Sequence, residues 1–177
     1  KRVPPSLSPP MSVRCIPICV SLFFAAFWSM SVEADDRQPT SLRLATFDVD
    51  ATPPVGFAMA YDRVRRVEEL GLRCRGLVLL GSGDPIVLCA IDWIGIGNGG
   101  HDAFRDSLAK AVGTTRQRVV VHALHQHDAP RCDFSAERLL HDAGVSDVGS
   151  LNSSLARDLL KRLGTTITDA LPLATDV

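Results

Sequence analysis

Residues 119–130 constrain the fold more than any other stretch, because they join three consecutive valines to three histidines and end in an acid and a proline. β-Branched residues favour strands and proline cannot donate to a sheet ladder, so the run predicts a strand that stops before Pro130. Side chains two apart in a strand share a face, so we expect His125 and His127 to project together, about 6–7 Å apart at Cα. His122 then points to the opposite face.

Two converging imidazoles are a common part of a divalent metal site, since each neutral ring offers one nitrogen lone pair. A structural zinc needs four ligands and a catalytic zinc usually has three and a water, so His125 and His127 would need further partners. Asp92 and Asp128 are candidate acceptors for the second ring nitrogen of such a ligand. The alternative is a hydrogen-bonded histidine pair without metal, which is the commoner use of an isolated H-x-H motif.

Composition places the chain among ordinary globular domains. Of its 177 residues, 46% are hydrophobic and 22% are charged, which suits one domain with a hydrophobic core. The formal net charge is -1, and the sequence contains no block of basic residues. This pattern argues against nucleic acid as a partner.

The N-terminal residues predict an export signal. After Met11, the expected start, Arg14 supplies a positive charge, residues 16–28 are apolar, and residues 32–34 have the small-residue pattern of a signal-peptidase site. The alternative, a transmembrane anchor, is disfavoured because the apolar run is shorter than the ~20 residues that span a bilayer. We therefore expect upstream residues and a signal peptide over 1–34, a linker over 35–44 and a domain over 45–177. The mature protein is expected to be secreted or periplasmic, with no stable membrane span.

Removing the leader takes Cys15 and Cys19 from the five cysteines and leaves Cys74, Cys89 and Cys132. An odd number allows one disulfide at most. Cys74 and Cys89 lie in apolar, strand-like runs, so we expect them to be buried as small hydrophobic residues. Cys132 lies near the histidines and has the alternative roles of metal ligand or reactive thiol.

Hydrophobic patterning predicts an α/β domain. Strands are predicted at 42–49, 72–80, 86–91 and 118–124, and helices at 103–112, 135–142 and from about 152 to before Pro172. This order favours a mixed β-sheet flanked by helices. Residues 77–80 lack polar alternation and predict a strand buried on both faces. Asp92 and His125 both follow strands, where open α/β sheets bind their ligands.

A glycine-rich turn at 93–100 opens the first helix. A phosphate cradle is one interpretation, but the Lys-Ser/Thr of a P-loop and a completed G-x-G-x-x-G are both missing. We expect instead that the glycines let the backbone pass close to the end of the strand that carries His125.

Three segments together resemble the start of the neutral/alkaline non-lysosomal ceramidases. They are the Asp-Ala-Thr-Pro-Pro-Val-Gly turn at 50–56 leading to Tyr61, the strand 87–91 ending in Asp92, and the His-Gln-His-Asp-Ala-Pro run at 125–130. That family opens its catalytic domain with a D-x-T-P-P-x-G-like turn and carries T-H-T-H-S-G-P after a comparable helix and strand. The similarity covers about residues 45–140.

The resemblance implies a secreted or membrane-facing zinc amidase that hydrolyses the N-acyl bond of ceramide, so the expected partner is a lipid amide. His125 matches the first histidine of the family motif, a zinc ligand, and His127 matches the second, which lines the active site. Gln126 stands where the family has Thr, and Asp128-Ala129 where it has Ser-Gly. The other ligands and the nucleophile have no match here. The chain is therefore expected to be an N-terminal fragment of a larger ceramidase-like domain, inactive alone.

Two alternative functions remain. One is a secreted non-catalytic domain that keeps the fold without a complete metal site. The other is a metallo-β-lactamase-like hydrolase, whose H-x-H-x-D-H run would need Asp at 129 and His at 130. Ala129 and Pro130 stand there instead, which disfavours this function.

Overall fold

The computed structural model describes residues 41–177, so the predicted signal peptide and the first part of the predicted linker lie outside the described residues. The strands are β1 (Arg43–Asp50), β2 (Arg73–Leu80), β3 (Ile86–Ile91), β4 (Gly95–Ile96), β5 (Val119–Ala123), β6 (Arg131–Cys132) and β7 (Thr175–Asp176). The α-helices are α1 (Asn98–Val112), α2 (Phe134–Asp142) and α3 (Ser154–Ala170). Short 3₁₀ turns occupy Arg116–Arg118, Gly149–Leu151 and Leu171–Leu173.

Five strands form one mixed sheet in the order β5-β3-β2-β1-β7. Strands β1, β2 and β3 are antiparallel neighbours, and β5 joins the edge of β3 in parallel. Helix α1 makes the crossover between these two parallel strands, as such a connection requires. Strands β4 and β6 pair beside the sheet as a second, two-stranded ladder. The predicted fold class, α/β with a mixed sheet, is confirmed.

The core lies between one sheet face and the helices α1 and α3. Inward residues of β1 alternate with exposed ones, and Phe47 and Val49 are among those buried. The predicted leucine stripe of α3 is confirmed at Leu159, Leu163 and Ile167, all fully buried. Leu155, at the start of the same helix, is only half-buried.

The opposite face of the sheet is less covered in the part of the chain that the structure describes. Leu77 and Leu79 on β2 are half-buried, and their neighbours Leu88 and Val120 are 41% and 52% exposed. The prediction that residues 77–80 are buried on both faces is therefore wrong for the described residues. The run is apolar on both sides, but α1 and α3 cover only one.

Helix α1 begins five residues before the predicted start, at Asn98, and ends as expected before Gly113, which adopts φ 72°. The first turn of α1 contains glycines because neighbouring residues leave no room for a side chain. A Cβ on Gly99 would stand 2.7 Å from the Ser135 hydroxyl, and one on Gly100 would stand 2.8 Å from the Cys132 sulfur. Apolar periodicity cannot detect a first turn made of glycines, which explains the shift. Within residues 41–177 no helix is both long and apolar enough to cross a bilayer.

We predict opposite effects for two Gly→Ala changes. A Cβ on Gly76 would stand 2.3 Å from both the Leu88 carbonyl oxygen and the Phe47 ring, so Gly76→Ala should destabilise the fold by about 1–3 kcal/mol. Gly164 lies inside α3 with no atom within 4 Å of such a Cβ, so Gly164→Ala should stabilise by about 0.5–1 kcal/mol. Urea unfolding of both variants beside the parent tests the packing. Equal unfolding midpoints would contradict it.

Candidate active site

The candidate site lies where the parallel strands β3 and β5 end, because parallel strands bring their carboxyl ends to one edge of a sheet. The backbone N–H of Leu124 donates to the Ile91 carbonyl at 3.0 Å, and that of His125 donates to the Trp93 carbonyl at 3.1 Å. These bonds hold the residues after β5 beside those after β3. Asp92 directly follows β3 and His125 comes two residues after β5, so both lie past strand ends as predicted.

His125 is not part of the strand, contrary to the sequence prediction. Strand β5 ends at Ala123, and His125 adopts φ 62°, in the left-handed region. Few residues other than glycine take this conformation, though histidine does so more often than most. Its ring Nδ1 lies 2.9 Å from the Ile94 carbonyl oxygen. Two hydrogen bonds to adjacent residues, one from the backbone and one from the ring, therefore fix this turn.

The bond to Ile94 decides which ring nitrogen of His125 is available. A carbonyl oxygen only accepts, so Nδ1 carries the proton, and the lone pair of the neutral ring is on Nε2. Metal-binding histidines commonly have this arrangement, with the second ring nitrogen donating to a carbonyl or carboxylate. Neither predicted acceptor, Asp92 nor Asp128, fills this role. A carboxylate oxygen of Asp92 instead accepts the backbone N–H of Arg73 at 2.8 Å.

His127 lies next to His125, with ring centroids 5.0 Å apart and planes at 80°. Its other neighbour is Tyr61, at 5.4 Å between centroids. The two histidines are thus brought together as predicted, but by a turn and not by the alternation of a strand. His122 is exposed, on the face of β5 opposite the buried Val121. Tyr61 was missed as a site residue because it lies 66 positions away from His127 in sequence.

Trp93 links the site to the turn after β1. Its side chain is buried, and the indole Nε1 donates to the Ala51 carbonyl at 3.0 Å. The turn is closed by the Asp50 carboxylate, which accepts the backbone N–H of Thr52 at 2.9 Å. Hydrogen bonding from Thr52 holds the pKa of Asp50 below its ordinary value, and the carboxylate is ionised at neutral pH. The Asp-Ala-Thr-Pro-Pro segment therefore supports the residue that anchors His125.

Two open clefts flank the histidines. One, of about 400 Å³, is lined by Ile94, Ile96, Leu151, Arg131 and His125 among others. The other, of about 520 Å³, lies between the loop 52–72 and the pair Gln126 and Asp128. The histidine run therefore borders two spaces that could admit a ligand.

Arg131 adds a donor to the smaller cleft that sequence reasoning did not identify. A terminal guanidinium nitrogen lies 3.5 Å from the Ala60 carbonyl oxygen, and its buried Nε has no hydrogen-bond partner within residues 41–177. A buried N–H without an acceptor costs free energy, and the Arg131 guanidinium has one long hydrogen bond and one such N–H.

Cys132 is not a reactive thiol. It is buried, and burial raises its pKa to about 12, which leaves almost no thiolate at neutral pH. Residues 41–177 contain no group of three or more His, Cys, Asp or Glu side chains that could hold a metal ion. Among the described residues His125 and His127 lie together, so any metal held here would need further ligands.

The glycine-rich turn does not form a phosphate site. The Asp133 carboxylate lies there, accepting from the Asn98 amide at 2.6 Å and from the first amides of α2, and it would repel an anion. The N–H of Gly99 donates to the Ser135 hydroxyl at 3.1 Å. The expected close backbone approach to the end of β5 does occur, at the Trp93 and Ile94 carbonyls that contact His125. Gly97, Gly99 and Gly100 themselves lie against residues 132–135.

Comparison with known proteins gives structural neighbours only. No family model and no curated protein matches the sequence. The crystal structure of neutral ceramidase from Pseudomonas aeruginosa superposes with a TM-score of 0.57 and 16% identity, over 78% of this chain and 23% of that chain. A structure described as ceramidase complexed with C2 superposes with a TM-score of 0.51 and 14% identity, over 77% of this chain and 22% of that chain. The chain therefore has a ceramidase-like fold and spans less than a quarter of these proteins.

We predict that the left-handed backbone makes His125 sensitive to the choice of substitute. Asparagine enters this region readily and alanine does not, so His125→Ala should lose about 1 kcal/mol more stability than His125→Asn. Both changes remove the imidazole, which makes each the control of the other. Urea unfolding measures the difference, and identical stabilities would mean that residue 125 does not hold φ 62° in solution.

Proposed function

We propose that this chain is the N-terminal portion of a secreted, zinc-dependent amide hydrolase that cleaves the N-acyl bond of ceramide or a related lipid amide. The observation that carries the proposal is the orientation of His125, whose Nδ1 is engaged by the Ile94 carbonyl and whose Nε2 is left to bind. The ceramidase-like fold over most of the chain supports the same chemistry.

The donor set fits a zinc ion in part. His125 would bind the metal through Nε2, with Ile94 fixing the tautomer and the direction of the ring. The remaining ligands would come from outside residues 41–177, since no group of three ligand side chains exists within them. Zinc in such a site polarises the amide carbonyl and makes hydroxide available near neutral pH.

The other residues of the site would position the substrate. His127, held between His125 and Tyr61, would orient the scissile carbonyl or the attacking water through a ring nitrogen. Ile94, Ile96 and Leu151 would receive an aliphatic chain in the smaller cleft and exclude water from the reacting bond.

A second function, a secreted non-catalytic domain with this fold, is favoured by one observation: the described residues bring together two histidines but no group of three candidate ligands, the number that a catalytic zinc usually takes. The two proposals differ in metal content. A catalytic protein binds zinc stoichiometrically through His125, and a non-catalytic domain does not.

Three histidine variants of the complete polypeptide separate these possibilities. His125→Asn should lose both bound zinc and ceramide hydrolysis, because the directed imidazole is removed without straining the turn. His127→Ala should keep most of the zinc and lose about 10²–10⁴-fold in kcat, the usual contribution of a positioned acid–base group. His122→Ala, at an exposed position of β5, should keep both bound zinc and activity and serves as the control. Metal analysis beside product assays decides, and full zinc in His125→Asn would overturn the proposal.

The 177-residue chain by itself should show no ceramide turnover. Two histidines cannot provide the ligand cage in which zinc lowers the pKa of water to about 7. The purified chain, incubated with ceramide and added zinc, should release no more fatty acid than its His125→Asn variant. Turnover above that level would mean that the catalytic groups lie within this chain and were misassigned.

A further inference from the structure

Two of the cysteines meet in the core, away from the histidines. Cys74 lies on β2 opposite Ile91, and Cys89 lies on β3 opposite Gly76, so they are diagonal neighbours on the covered face of the sheet. Their sulfur atoms are 3.5 Å apart, and both side chains are fully buried. The third cysteine, Cys132, lies in β6, outside this sheet.

We propose that Cys74 and Cys89 are joined by a disulfide when the chain folds in an oxidising compartment. The sequence allows at most one bridge among three cysteines of the predicted mature chain, and the fold brings this pair to sulfur–sulfur contact. The bridge would tie the two strands of the β2–β3 hairpin together across a separation of 15 residues. It is independent of zinc and of the proposed hydrolase activity.

Bond formation requires the two strands to approach as well as the sulfur atoms, because diagonal cross-strand neighbours lie ~7–8 Å apart at Cα, against ~4.4–6.8 Å in most disulfides. A disulfide bond is about 2.05 Å long, so sulfur atoms at 3.5 Å must approach by about 1.5 Å, through rotation of both side chains and a slight shift of the strands. Closing the hairpin would stabilise the fold mainly by restricting the unfolded chain.

The chemistry needs an external disulfide as oxidant, such as oxidised glutathione or a thiol–disulfide oxidoreductase. One cysteine thiolate attacks that disulfide and releases one thiol. The thiolate of the second cysteine then attacks this mixed disulfide at the sulfur of the first cysteine, which forms the Cys74–Cys89 bond and releases the second thiol of the oxidant. The two cysteines give up two electrons and two protons, and the oxidant becomes two thiols. We expect this exchange before the sheet closes, because both side chains are fully buried in the folded chain and an external oxidant could not reach them.

Oxidative refolding of the full chain tests the proposal. The reduced, unfolded chain is refolded with oxidised and reduced glutathione, blocked with iodoacetamide and digested with trypsin without reductant. Arginines at 73, 75 and 105 place Cys74 in a dipeptide and Cys89 in the peptide 76–105. We expect these two peptides to be joined, and the peptide 132–138 to carry an alkylated Cys132. Alkylation of both Cys74 and Cys89, or a bridge that joins either of them to Cys132, Cys15 or Cys19, would overturn the inference.

Matched variants add a stability readout. Dithiothreitol should lower the Tm of the oxidised parent chain and of Cys132→Ala. It should leave the Tm of Cys89→Ala unchanged, because that variant has no bridge to lose. Should Cys89→Ala fail to fold, the peptide map of the parent chain still decides. A Tm of the parent chain that does not respond to dithiothreitol would count against the bridge.

Discussion

The hydrogen bond from the buried indole of Trp93 to the Ala51 carbonyl is the contact on which the site depends. It joins the turn after β1 to the exit of β3, and the Trp93 carbonyl in turn receives the N–H of His125. Losing the indole donor would leave a buried carbonyl unsatisfied, at a cost of about 1–3 kcal/mol. The position of His125 therefore depends on a turn 74 residues earlier in the sequence.

Elements with strong local signals could be predicted from the sequence. The apolar run of β3 between a glycine-rich turn and Asp92 was found at its true bounds, and the stripe of α3 was found because its period matches one helix face. The end of α1 was found because Gly113 supplies a left-handed cap. Its beginning was missed, since it depends on the approach of residues 132–135, which are distant in sequence.

The proximity of His125 and His127 was predictable from the sequence, but their backbone conformation was not. Spacing alone suggested that His125 and His127 share a direction, and they do lie together. The turn that achieves this requires acceptors at Trp93 and Ile94, which lie between β3 and β4, and no local pattern reveals them. Tyr61 was missed for the same reason, because its contact with His127 exists only after the chain has folded.

The energetics of the turn at His125 explain how its ring is oriented without a metal. A left-handed residue costs roughly 1–2 kcal/mol, and strain of this kind persists only where the surroundings offset it. The two hydrogen bonds to Trp93 and Ile94 contribute about 0.5–1.5 kcal/mol each, which is enough to balance that cost. The chain itself therefore sustains the conformation. A metal entering the site would meet an imidazole whose tautomer and direction are already set, so its binding free energy is not spent on ordering that ligand.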